Sequence, residues 1–465
     1  MLSWASRFDI CCFLDNHTYQ LPAHSLECLL AAGAIRSIRA NAGNAFDQLK
    51  EFAAGQTDWL FGHFGYGLAK ETEGIAAPAP DPIGFPDLYF FIPEILIELS
   101  ADSIRIGSCG SDHAAILEQI GREAIPREEW STDILRGKCS ADTPGGRWSS
   151  DTAGEDCSAD TAGEDCSADT PGEGCSADTA GGKQILRPRF SRDEYLETVK
   201  TLQQHILRGD CYEINFCQEF FAHPASIDPL STWFSLSRAS PNPFAAFYRV
   251  DNSYLLCASP ERYLKRTGDT LLSQPIKGTS PRIPGNAEQD MAGRNELYHS
   301  AKDRSENVMV VDLVRNDLSK ICLPGTVRVE ELYGVYSFPQ VYQMISSIKG
   351  ELPPGTHWTE AVRVTFPMGS MTGAPKKRVV ALIEQYERSP RGLFSGAVGY
   401  VTPEGDFDFN VVIRSLFYNQ AEGYLAYQVG SGITFYSDPL AEYEECLLKA
   451  EGILKALKIS KGASD

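Results

Sequence analysis

No Cys-x-x-Cys pair occurs among the thirteen cysteines of this 465-residue chain. Scattered thiols in a chain of this size read as reduced cysteines of the cytosol, not as a disulfide framework. Long apolar runs are also missing. The opening MLSWASRFDICCFLDN is interrupted by Arg7 and Asp9, so it is not read as a signal peptide. The stretch LYFFIPEILIEL carries Pro93 and Glu94 and is too short to span a bilayer, so no membrane is expected. Positive charge is scarce: 42 basic residues face 62 acidic ones, for a net charge of −20. Such a surface repels phosphate backbones, and nucleic acid is not an expected partner. It also repels anionic small molecules, which would need a local cation or metal to hold them. The glycine-rich GSMTGAPKKR lacks the spacing of a nucleotide-binding P-loop.

One segment has almost no large apolar side chains. From Cys139 to Gly182 a nine-residue unit recurs, clearest as CSADTAGED from Cys157, with ten acidic residues against Arg147 alone. It cannot bury enough surface to offset the entropy of ordering, so 138–183 is read as a disordered acidic insertion. Its glycine and aspartate spacing matches no calcium nonapeptide, and thiols nine residues apart are not a zinc pattern. The insertion separates residues 1–137 from 184–465. The first part holds short apolar runs broken by Gly and Pro, which predict strands and turns. In the second, FAAFYRV, SYLLCAS and TLLSQPI predict strands. RDEYLETVKTLQQHILRGD predicts an amphipathic helix stopped by Gly209, and NELYHSAKDRSENVMVVDLVRNDL predicts one longer helix. The mixture is α+β with antiparallel sheets.

Two acidic pairs have helical spacing. Asp303 and Glu306 share one face, and so do Glu442 and Glu445, the latter in a helix begun by Asp438 as N-cap and Pro439 as first helical residue. Two such faces meeting would form an oxygen-ligand site suited to Mg²⁺, though a solvated acidic face has the same spacing. Lys277 lies between an apolar strand and Gly278, where desolvation would lower its pKa and free the amine as a nucleophile; an ordinary surface lysine is the alternative. Glu261 in SPERYL is a candidate general acid or base. Arg414 ends an apolar strand and calls for a carboxylate, from the protein or from a substrate. Gly430 and Gly432 would let a ligand approach the neighbouring backbone.

The blocks GDCYEINFCQ, SPERYL, PIKGTSPR, ENVMVVDLVRNDL, FPMGSMTGAPKKR, SGAVGYV, NVVIRSL, GSGI and EYEECLLKA occur in that order between about residues 192 and 455. Together they resemble the chorismate-binding enzyme family, which includes the large subunits of anthranilate and aminodeoxychorismate synthases and the isochorismate and salicylate synthases. SRFDI and FGHFGYGLAKE, nearer the start, resemble the aminodeoxychorismate branch.

The resemblance implies two large antiparallel sheets packed as a sandwich with helices outside. It implies chorismate as substrate and Mg²⁺ as cofactor, with Glu306 and Glu445 as main ligands and Asp303 and Glu442 beside them. Lysine at position 277, where anthranilate synthases usually carry alanine, implies covalent addition to ring carbon C2 as the C4 hydroxyl leaves. Glu261 would assist at the leaving group, and ammonia would then expel the lysine. Arg414, Gly432 and Lys449 would hold the enolpyruvyl carboxylate, and Gly278 and Thr279 would line the ring pocket. Glu213 stands where the isochorismate and salicylate branches carry a lysine base, which argues against direct attack by water. Three positions depart from the family: Gln343 replaces a histidine near the ring, Phe394 a tyrosine, and Asp303 a glutamate. No Cys-His-Glu glutaminase pattern is present, so ammonia is expected from a separate glutaminase subunit or from free ammonium. Anthranilate synthesis, and chorismate binding without catalysis, remain the alternatives.

Overall fold

Strand pairing joins the two parts of the chain that flank the insertion. In the computed structural model, residues 1–17, 19, 28–55, 57–74, 81–100, 103–109, 113–122, 186–283, 285–338 and 340–458 are described. The repeat of 139–182 lies outside them. The strand Ile10–Asp15 pairs antiparallel with Phe244–Val250, placing Cys12 opposite Tyr248. Leu60–Phe64 pairs with Ala397–Val401, placing Gly62 opposite Gly399. Segments 1–137 and 184–465 therefore contribute to the same two sheets, one of eleven and one of ten strands among the described residues.

A period of two builds the core. On Ile10–Asp15, Cys12 enters one apolar cluster while Cys11 and Phe13 enter the other. The first cluster draws Cys12, Leu29 and Leu255 from one sheet and Phe61, Phe90 and Phe409 from the other, so the sheets pack face to face. The second lies on the outer face of the eleven-stranded sheet, beneath helices Arg192–Leu207, Pro229–Ala239 and Pro439–Lys449. Each fully buried phenylalanine contributes about 1.5–3 kcal/mol relative to exposure. The α+β sandwich with outer helices is thus observed.

Local signals act where they were read. Ser191 and Glu194 form a reciprocal cap on Arg192–Leu207, and Gly209 follows at φ +81°. The Asp438 carboxylate accepts from the Ala441 N–H at 2.9 Å, with Pro439 at the first helical position. One expectation needs correction. The long helix is two, Ala287–His299 and Ala301–Ser319, broken at Ser300. The Ser300 hydroxyl accepts from the Asp303 N–H at 3.2 Å and so starts the second helix. The run TLLSQPI is likewise two strands, Thr270–Gln274 and Ile276–Pro281, parted at Pro275, which has no N–H to donate. Both strands pair with Val341–Glu351. Among the described residues, no helix is long and apolar enough to cross a membrane.

Candidate active site

Five elements converge at one end of the sandwich: strand Ile276–Pro281, the start of strand Glu213–Ala222, the end of strand Tyr424–Ile433, and the two acid-bearing helices, Ala301–Ser319 and Pro439–Lys449. Glu213 pairs with Ala374, so the GSMTGAPKKR segment flanks it. That segment is anchored by Lys376, whose buried ammonium donates to Asp317 at 2.5 Å and to the Thr365 carbonyl at 3.1 Å. Gly432 lies opposite Asn215, two residues from Glu213 along the same strand.

Lys277 is the centre of the arrangement. Its ammonium donates to Glu213 Oε1 at 2.9 Å, and its side chain is 12% exposed. Burial alone would lower its pKa, as the sequence suggests. The carboxylates of Glu213, Glu306 and Glu445 more than offset burial and hold it above the ordinary lysine value. The expectation of a lowered pKa is therefore corrected: beside these carboxylates the shift is upward, toward the ammonium. Gly432 makes this pair sterically feasible, because a Cβ there would lie 2.7 Å from both Lys277 Nζ and Glu213 Oε1. Gly278 lies within the strand, at an irregularity in its register and not in a turn; it has φ +93°, and a Cβ on it would stand 3.0 Å from Asp303 Oδ1, so the strand just after Lys277 seats against the first acid-bearing helix.

Both acidic pairs point into this region, but not as a closed ligand shell. Glu442 is 1% exposed, which overrules a solvated face for it. The Lys302 ammonium lies 3.4 Å from Glu442 and 3.8 Å from Glu306, bridging the two helices. Burial works against charge on Lys302, yet Glu442, Glu306 and Glu445 raise its pKa. Burial pushes Glu306 up to about 7, with Glu213 and Glu442 adding to the rise and Lys277 and Lys302 opposing it. Glu445 is held below the ordinary carboxylate value: burial would raise it, but Lys449, Lys302 and Lys277 prevail. Among the described residues no three acidic, histidine or cysteine side chains converge at metal-ligand distance. A carboxylate lifted to about 7 beside other carboxylates is a group that a hard cation would relieve, and the all-oxygen donor set fits Mg²⁺ in chemistry.

The remaining candidates fall around this cluster. Glu261 is 4% exposed, and its N–H donates to Ser259 Oγ at 3.2 Å. Burial raises its pKa to about 7 against a hydrogen bond from Ser370 and the charges of Lys277 and Lys449. Near neutrality it can both give and take a proton. Arg414 precedes strand Ser415–Asn419 at φ +54°. Burial lowers its pKa; Glu445 opposes this at a distance, and no ion pair to its guanidinium is found among the described residues. Lys449 donates to the Gly430 carbonyl at 2.9 Å and pairs with Glu445 at 2.7 Å. Gly430 itself packs too tightly for a side chain, since its Cβ would meet Cys217 Sγ at 2.3 Å. Thr279 is exposed, opposite Gln343 in register. Gln343 is 1% exposed, with no hydrogen-bond partner for Oε1 among the described residues, and Phe394 is 2% exposed in the apolar core.

Two participants escaped the sequence. Lys302 carried one signal, its i,i+4 relation to Glu306. Glu213 as the partner of Lys277 carried none, since the two are 64 residues apart.

A two-sheet α+β sandwich with a lysine–carboxylate cluster at the sheet ends defines the class. The chain belongs to the chorismate binding enzyme family, whose model matches residues 11–455. It is 39% identical over 272 residues to aminodeoxychorismate synthase component 1 of Klebsiella aerogenes, covering 58% of this chain and 59% of that protein. It is 37% identical over 268 residues to the same component of Escherichia coli K12, covering 58% of each. The chain thus spans under two thirds of the curated relatives it matches. In fold it is similar to anthranilate synthase component I from Streptococcus pneumoniae TIGR4. That likeness has a TM-score of 0.71 at 22% identity and covers 94% of this chain and 93% of that one. A menaquinone-specific isochorismate synthase from Escherichia coli gives 0.68 at 16% identity, covering 98% and 91%.

Proposed function

We propose that this chain aminates chorismate at C4, giving 4-amino-4-deoxychorismate for p-aminobenzoate and folate synthesis through a covalent bond to Lys277. The carrying observation is the largely enclosed Lys277 ammonium, held at 2.9 Å from Glu213 and within the field of the carboxylates on the two acid-bearing helices. Relatives named aminodeoxychorismate synthase component 1 support the same reading. The Lys277 nitrogen bonds to C2, the ring double bonds shift, and the C4–O bond breaks. Glu261, poised near neutrality, protonates the departing hydroxyl. Ammonia from a separate glutaminase subunit, or free ammonium, then bonds to C4 and the C2–N bond breaks. Arg414 has no carboxylate of its own among the described residues, and it is suited to the substrate's enolpyruvyl carboxylate together with Lys449 and the Gly430–Gly432 backbone. Gly278 and Thr279 border the ring position. Glu306 and Glu445, with Asp303 and Glu442 beside them, would hold Mg²⁺. When bound, that ion supplies positive charge for an anionic substrate in an acidic site. A cytosolic setting suits the reduced cysteines.

The test is mass spectrometry of the chain mixed with chorismate and Mg²⁺ without ammonia. A covalent increment mapping to Lys277, absent in Lys277→Ala, is expected. Addition of ammonium and a lyase must then release p-aminobenzoate. Fluorescent anthranilate as the product, with no adduct, would reject the proposal.

A further inference from the structure

Lys277 poses a problem that the family resemblance does not address. A nucleophilic amine must be neutral, yet the surroundings of Lys277 favour its ammonium. Its proton therefore has to leave within the site. The groups facing it are Glu213 on a strand of the other sheet, Glu306 and Lys302 on the first acid-bearing helix, Glu442, Glu445 and Lys449 on the second, and Glu261 beyond. Among the described residues, Glu213 alone is hydrogen-bonded to the Lys277 ammonium. Glu442 and Glu445 are instead bonded to other lysines, Lys302 and Lys449. Glu213 is 3% exposed, and its second oxygen, Oε2, is buried with no hydrogen-bond partner among the described residues. The Glu213 oxygen that accepts the hydrogen bond is thus already in position to take the proton directly, along the 2.9 Å Nζ–Oε1 contact.

We infer that Glu213 is the base that deprotonates Lys277, converting the resting ion pair into a neutral amine and a neutral acid when chorismate binds. This rests on the covalent role of Lys277 proposed above. The proton moves from Lys277 Nζ to Glu213, and the free electron pair then forms the N–C2 bond. The C4–O bond breaks, and the hydroxyl leaves as water with a proton from Glu261. The adduct nitrogen now carries two hydrogens and a positive charge. When ammonia bonds to C4, the C2–N bond breaks and Lys277 departs as a neutral amine. It recovers its proton from Glu213, and the new ammonium on the product gives one to Glu261. Every proton is accounted for, and no oxidant or further reagent is needed. Gly432 keeps the transfer path short by leaving no Cβ beside either atom.

The isosteric change Glu213→Gln separates a base from a mere electrostatic holder, because two readouts move in opposite directions. Trace acetylation of Lys277 by acetic anhydride, without substrate, rises several-fold in E213Q, since the charge that favours the ammonium is gone. Adduct formation with chorismate, followed by rapid-quench mass spectrometry, falls about 100-fold or more, the usual worth of a positioned base. Glu213→Asp, which retains a carboxylate, keeps adduct formation within about tenfold of the parent and guards against a folding defect. An E213Q adduct rate equal to or above the parent's overturns the assignment of Glu213 while leaving Lys277 as the nucleophile. Equal losses in E213D and E213Q also overturn it. A parent protein that forms no adduct rejects the covalent reading itself.

Discussion

Replacing Glu261 by glutamine should stabilise the protein at alkaline pH while removing its chemistry. Glu261 is 4% exposed, and burial lifts its carboxyl from 4.5 to about 7, although Ser370, Lys277, the Ile276 backbone and Lys449 all favour the ionised form. Between those two values the folded protein keeps a proton that the unfolded chain has already released. The corresponding stability is fully present below about pH 4.5 and is lost as pH rises through about 7. The displacement corresponds to about 3 kcal/mol at 1.36 kcal/mol per unit. An amide never ionises, so Glu261→Gln escapes that loss. Urea unfolding of parent and variant at pH 5 and pH 8 measures the effect directly. The stability difference should move by about 2–3 kcal/mol in favour of the variant between the two conditions. Glu306 titrates in the same range but is present in both proteins, so it cancels from the comparison. Turnover by the variant should fall about 100-fold or more. A stability difference that does not change with pH would mean that Glu261 stays ionised and paired in the folded state, and the general-acid role would fall with it.

Other substitutions test the surrounding geometry. Gly432→Ala places a methyl group 2.7 Å from both Lys277 Nζ and Glu213 Oε1, so one must move; covalent labelling of Lys277 by chorismate should drop at least about tenfold, with the circular dichroism spectrum unchanged. Arg414→Gln should weaken chorismate binding by about 10- to 100-fold in equilibrium dialysis, as expected for losing a charge-assisted hydrogen bond. It should not lower the urea midpoint, because the buried guanidinium has no ion pair among the described residues to lose. Lys302→Met removes the ammonium that bridges Glu306 and Glu442. Calorimetry should then show Mg²⁺ binding about tenfold tighter, and weaker binding would show that Lys302 orients the carboxylates instead of competing for them.

What could be read from the sequence was what depends on neighbours in the chain. Asp438 caps its helix through an N–H three residues on, and Pro439 follows it; both are local events, and both are observed. The placement of Glu442 and Glu445 on one inward face follows from that helix start. The break at Ser300 was also local, since Ser300 and Asp303 form a capping pattern, but the polar run NELYHSAKDRSEN carries helix formers on both sides and masks it. The ionisation of Lys277 was of another kind. Its immediate neighbours, Ile276 and Gly278, argue for desolvation and a lowered pKa. The carboxylates that reverse the sign come from a strand 64 residues earlier and from two helices, brought together only where Glu213's strand of the eleven-stranded sheet, Lys277's strand of the ten-stranded sheet and those helices meet. A lysine surrounded by that many acids is stable as a cation and inert as a nucleophile until a proton acceptor and a substrate act on it together. The charge that makes Lys277 look unreactive at rest is therefore consistent with catalysis, because the same carboxylate that holds the proton in the ion pair, Glu213, is the one placed to take it.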